Sequence, residues 1–264
     1  MTFTFKKPEN LLLGAVLVLL AVAIFGPSVA QPAQQHDFAD QRPWAQIPRA
    51  FDVLSNLSFA LSGALGLGCL VWRRCAGRQT GITGQPGLAA VFFVGLLFTA
   101  LASAWYHLQP DDARLAIDRA SMVVAFAGLI GLAAADRVSP RAGVMLALAV
   151  LALGPLSVWV WWLSGNALPW AVLQLGGMLL VAWLASHRPL RGALAVRWAA
   201  VIMIYAAAKL LEYTDHAVYA LTSQVISGHS LKHVVAGCAA WPVIAALLRA
   251  PPLSAKSGSP SQAV

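Results

Sequence analysis

Apolar runs long enough to cross a membrane constrain this chain more than any other feature. They fall near residues 11–30, 51–72, 87–108, 115–135, 142–163, 168–186, 195–213 and 229–249. A helix needs roughly 20 apolar residues to cross the hydrocarbon of a bilayer. Inside that layer each backbone N–H and C=O must be bonded within the segment or to protein, which selects helices over open sheets. Only 11% of the residues are charged, against roughly a quarter in a soluble domain, so a water-soluble fold is excluded. The expected class is all-α, a polytopic membrane protein. A seven-transmembrane-helix core in residues 51–250 follows an N-terminal signal-like or anchor helix in residues 1–30 and an extracytoplasmic segment in residues 31–50.

The loops set the orientation. A net charge of +8 would suit a nucleic-acid partner, but the basic residues sit in short loops between apolar runs, the pattern of membrane orientation. No nucleic acid is expected; the bilayer and a membrane lipid are. Arg73, Arg74 and Arg78, then Arg137 and Arg141, then Arg188, Arg191 and Arg197, and finally Arg249 and Lys256 share one side with Lys6 and Lys7. The positive-inside rule makes that side cytoplasmic and puts residues 31–50, 109–114, 164–167 and 214–228 outside. Lys6 and Lys7 before the run Leu11 to Phe25, with Ser28-Val29-Ala30 after it, read as a signal peptide or as a retained anchor. The run is long for a signal peptide, which favours the anchor. Cys69, Cys75 and Cys238 are odd in number and scattered, offering no disulfide framework or thiolate metal motif. The tail 251–264 is rich in Ser, Pro and Gly and is expected to be a disordered cytoplasmic tail.

Three histidines stand at the ends of apolar runs, where ionisable side chains are costly. His229 and His233 are four apart and share a helix face. His107 has Ser103 one turn before it and Asp118 eleven residues after it. The topology brings all of these to a similar depth near the outer face. Three imidazoles with an open fourth position are a catalytic zinc set. A carboxylate, Asp118, would move the proton, and a hydroxyl, Ser103, would serve the oxyanion. Structural readings stand beside each: Asp118 favouring the helix dipole or pairing with Arg114 or Arg119, and Ser103 bonding back to its own helix. His36 and His187 read as ordinary polar residues, and His216 as a reserve ligand.

These residues carry a family resemblance. Ser103-Ala-Trp-Tyr-His107, Asp118-Arg-Ala-Ser-Met122 and His229-Ser-Leu-Lys-His233 resemble the pattern of the alkaline ceramidases, in the CREST superfamily that also holds adiponectin-receptor-like proteins. The likeness covers roughly residues 50–250 and implies a zinc amidase that cleaves the N-acyl bond of ceramide. It implies zinc on His107, His229 and His233, acid–base work by Asp118 and assistance by Ser103. Ser55-Asn56 resembles a Ser-Asn pair of the family's first core helix, with helix–helix bonding as its alternative.

Two departures matter. Eukaryotic members carry an acid-rich, calcium-associated segment. This chain has only Asp37, Asp40 and Asp52 there, with Arg49 where an acid is expected, so the calcium site is not carried over. Lys209-x2-Glu212-x2-Asp215 also differs, and Lys209 and Glu212 read as an ion pair near the site. Short loops and the signal-like start point to a bacterial member in the inner membrane, its site near the periplasmic face and its substrate not necessarily ceramide. Trp105, Tyr106, Met122, Trp159, Trp161 and Trp162 are candidates for a lipid path, with an aromatic belt as the simpler reading of Trp159 to Trp162. The competing functions are a receptor-like or scaffold protein with a structural zinc, and a haem-binding cytochrome.

Overall fold

A computed structural model describes residues 7–78 and 81–249. Lys6, Lys256 and the tail beyond residue 250 lie outside the described residues. The protein is an all-α bundle, and the described residues include seven helices long and apolar enough to cross a membrane. Helix α1 (Lys7–Phe25) comes first, followed by an extended segment. The next span is α2 (Ala50–Ser55) and α3 (Leu57–Cys75), which meet at Asn56. Then come α4 (Gln85–Leu108), α5 (Asp112–Arg137) and α6 (Pro140–Ser164). The following span is composite: α7 (Leu168–Ala171), a π-helical turn at Val172–Gly176, and α8 (Gly177–Ala185). After α9 (Trp198–Tyr213) and α10 (Asp215–Leu221), the last span is α11 (Gly228–Cys238) continued by α12 (Trp241–Arg249).

The seventh apolar run, 195–213, is helical but shorter than expected. Its helix has 16 residues, about 24 Å at the α-helical rise, below the roughly 30 Å of bilayer hydrocarbon. Residues 188–197 are spent on an irregular loop holding Pro189, Gly192 and a left-handed Ala195. At the other end the chain bends at Thr214 into α10.

Helix α5 is the centre of the bundle, with a buried run from Ala125 to Asp136. Its contact with α4 is backbone to backbone. A Cβ on Gly95 would overlap the backbone of Ala125, and one on Gly128 the backbone of Phe92. Small residues let membrane helices approach closely where no hydrophobic force between helices drives packing. One end is fixed by Asp136, fully buried, which accepts from Gln85 Nε2 (3.1 Å), Ala195 N (2.9 Å) and Trp198 Nε1 (3.0 Å).

The other end gathers all four segments that the charge pattern assigns to one side. His36 meets Asp112, Ala39 N donates to Asp215, Arg42 reaches the Val225 carbonyl, and Ala30 bridges Asn166. Helix α1 packs along the outside of α7 and the π turn with one buried residue, Leu12. Its Glu9 accepts from Ser139 Oγ at 2.6 Å.

Candidate metal centre

The site is assembled at the end where α4 finishes and α5 and α11 begin. His107 lies in the last turn of α4. The chain reverses through Gln109, Pro110 and Asp111, whose carboxylate caps α5 by accepting from Arg114 N at 2.7 Å. Helix α11 starts with the same chemistry, Ser227 Oγ accepting from Ser230 N at 3.0 Å. Gly228 lets that start sit against α9 and α10, since a Cβ there would overlap the Leu211 carbonyl and crowd Asp215. This contact delivers the next residue, His229, to the interior.

His107, His229 and His233 are 1%, 6% and 2% exposed. One ligand nitrogen from each lies within 4.8 Å of the others. His107 Nε2 and His229 Nε2 are 3.2 Å apart. Two nitrogens at zinc-bond length on a tetrahedral metal are separated by about 3.3 Å. The three imidazoles could therefore hold a metal ion.

The tautomer of His233 follows from its partner. Ser55 Oγ donates its single proton to the Asp52 carbonyl (3.0 Å) and lies 2.8 Å from His233 Nδ1. The hydroxyl must then accept from Nδ1–H, which leaves Nε2 as a bare lone pair for a metal. A bond to the far ring nitrogen is the usual orienting device for a ligating histidine. Ser58 Oγ holds the backbone of the same residue, donating to its carbonyl at 2.7 Å.

Two buried carboxylates anchor the start of α11. Asp52 accepts from Ser230 Oγ (2.6 Å) and Ser227 Oγ (3.3 Å). Asp215 accepts from His229 N (2.7 Å) and, with its other oxygen, from Ala39 N (3.0 Å). Asp215 thus ties the metal-site helix to the extended segment before α2. That segment roofs the site. The Phe38 ring stacks edge-on against His107 and His229, with centroids 4.7 and 4.5 Å away. Asp40 and Arg42 form a bidentate pair that reaches Val225, and Arg42 lies over the rings of Phe51 and Tyr219.

Beside the histidines runs a charged chain. Glu212 bonds both Lys209 and Lys232, and Lys209 reaches Gln174 on the π turn at 3.5 Å. The expected Lys209–Glu212 pair is present, and Lys232 extends it on the histidine helix itself.

Asp118 and Ser103 are both buried, at 8% and 3% exposure, at the same end of the bundle. Asp118 Oδ1 has no hydrogen-bond partner among the described residues. It is not spent on either arginine weighed as a partner. Arg114 is held by Asp111 and the Gln109 carbonyl, and Arg119 stacks over Trp161 and Trp170. Asp118 is not part of the ligand cluster. His36 binds Tyr106 Oη and Asp112, His187 the Trp183 carbonyl, and His216 faces Asp37, all away from the cluster. In the aromatic run, Trp159 and Trp162 are exposed, as a belt requires, whereas Trp161 is buried on Arg119.

Phe38 and the anchoring role of Asp215 were not legible from sequence. Phe38 meets His229, and Asp215 meets Ala39, across more than a hundred residues of chain, and the only local signal was a buried-type aromatic in a polar segment. No protein-family model matches the chain, and no curated protein matches it significantly.

Proposed function

We propose that this protein is a membrane-embedded, zinc-dependent amidase that hydrolyses the N-acyl bond of ceramide or a related lipid amide to a fatty acid and an amine. The observation that carries this reading is the convergence of three buried imidazoles; Asp118, buried near the start of α5 with an oxygen unpartnered among the described residues, is the carboxylate assigned to work with them. The Ser-x3-His, Asp and His-x3-His pattern shared with the alkaline ceramidases supports it.

His107, His229 and His233 would hold the ion. Zinc in such a set supplies Lewis acidity and makes hydroxide available near neutral pH. Asp118 takes the proton of the attacking water and returns it to the departing amine. Ser103 donates to the oxyanion that develops on the carbonyl. Phe38 and the strap around it exclude bulk water from above, and the lipid chains lie among the helices. In the expected orientation this chemistry takes place near the periplasmic face of a bacterial inner membrane.

The test is metal analysis of wild type beside His233→Ala, with fatty-acid release from a panel of ceramides. Near-stoichiometric zinc in wild type alone, with release lost in the variant, is expected. Asp118→Asn should keep zinc and lose release by about 10²–10⁴-fold, the range of a general acid–base residue. Wild type without zinc, or Asp118→Asn at full rate, refutes the assignment. One observation favours a second reading, a receptor-like or scaffold protein with a structural zinc. Phe38 packs on two of the three histidines, as in a closed shell; zinc without hydrolysis of any lipid amide would select it.

A further inference from the structure

One apolar cavity is remote from the histidines. It measures about 420 Å³ and lies between α1, α6 and the α7–α8 span. Its walls run from Val16 to Ile24 on α1 and from Leu146 to Val160 on α6, and Ile130 of α5 closes its floor. The lining is aliphatic apart from Ser157 and Asn166, and Asn166 lies at the histidine-bearing end. A cavity of roughly 300–1,000 Å³ with an apolar lining and few polar groups is the usual form of a small-molecule site.

We propose that this cavity binds one acyl chain of a membrane phospholipid, with the ester group at Asn166 and α1 as the outer wall. Three observations commit the occupant. The volume of about 420 Å³, with its almost wholly aliphatic lining, suits a slender apolar molecule. Leu146 and Val160 are 14 residues apart, about 21 Å along the helix, longer than half of the roughly 30 Å hydrocarbon layer. A single chain reaching from the surface past the bilayer centre has this shape. At the polar end, Asn166 Oδ1 is taken by Val29 N and Leu168 N, both at 3.0 Å. Its Nδ2 has no hydrogen-bond partner among the described residues and would donate to an ester carbonyl.

Helix α1 acquires a role from this. Its carboxyl end is stitched to the mouth of the cavity by the Ala30–Asn166 bridge and by Ala167 N donating to the Val29 carbonyl at 2.7 Å. The stretch that resembles a cleavage site is thus tied to Asn166 and Ala167 at the mouth of the cavity. The proposal does not depend on the metal reading.

The test uses the full chain in nanodiscs of phosphatidylethanolamine and phosphatidylglycerol, doped with a phospholipid carrying a diazirine at its chain end. Adducts are mapped by mass spectrometry, and the lipid retained after detergent exchange is counted per protein. Ala149→Trp and Ala23→Trp put a ring into the cavity from opposite walls. Leu148→Trp, outside the cavity and 60% exposed, is the control. Adducts should concentrate on cavity residues, and retained lipid should fall about tenfold, the ratio given by 1.4 kcal/mol, in both filled variants but not in the control. Adducts spread evenly over exposed positions such as Leu148 and Met203 would mean annular lipid only and overturn the proposal. So would wild-type retention in a folded filled variant. If one variant fails to fold, the opposite wall carries the test; if both fail, the wild-type adduct map decides.

Discussion

Replacing Ser55 with alanine isolates the geometry of the metal centre without touching a ligand. In the wild type the Ser55 hydroxyl donates to the Asp52 carbonyl and accepts from His233 Nδ1. The carbonyl keeps a second donor, Asn56 Nδ2 at 2.7 Å, so the loss falls on the imidazole. His233 is 2% exposed, and water does not readily replace the hydroxyl. Removing the partner of such a ligand lowers metal affinity by about 10–100-fold, which is about 1.4–2.7 kcal/mol. Ser55→Thr keeps the hydroxyl and should restore most of the affinity. The assay is competition for zinc against a chromophoric chelator in detergent, with all three proteins at one pH. If Ser55→Ala binds zinc within about twofold of wild type, less than 0.5 kcal/mol, then Ser55 does not set the tautomer and the argument fails.

Other consequences are open to measurement. Zinc stabilises only the folded state, so a strong chelator should lower the melting temperature of wild type and leave His233→Ala unmoved, as mass action requires. Glu212→Gln strands Lys209 and Lys232. With side chains 20–35% exposed, the loss should be about 1–2 kcal/mol by denaturation, between a surface pair and a fully buried one. Phe38→Ala should speed zinc removal by chelator, because the ring lies directly over His107 and His229; an unchanged rate would show that the roof does not limit access.

The strap should also respond to pH. Burial alone would raise the Asp40 carboxyl, but the Arg42 hydrogen bonds and charge outweigh it and hold it below 3.8. A depressed carboxylate stabilises the fold above its ordinary value and loses that contribution as pH falls through the folded one. Protection of residues 38–42 against hydrogen exchange, corrected for the intrinsic rate, should therefore fall below pH 3.8. In Arg42→Gln it should be low throughout.

The apolar runs and their charged ends dictated an all-α membrane bundle, because a chain in hydrocarbon has few other ways to satisfy its backbone. They also sorted the loops to two ends, and the segments they assign to one side do meet around the site. The four-residue spacing of His229 and His233 was enough to put both on one face of α11. Sequence did not reveal the short α9, because loop geometry rather than hydropathy ends that helix.

Only the tertiary structure decided the rest. His107 meets His229 across 122 residues of chain. That meeting depends on glycines that let α4 lie against α5 and on Gly228 against Leu211 and Asp215. Asp118 is left unpaired because Arg119 turns to the tryptophans of neighbouring helices. Phe38 covers the histidines because Asp215 holds the backbone of Ala39. Composition and periodicity follow from how each segment meets its solvent, and a chain carries that record locally. Which side chains end up within bonding distance depends on how closely backbones approach, and that is fixed only when the helices pack.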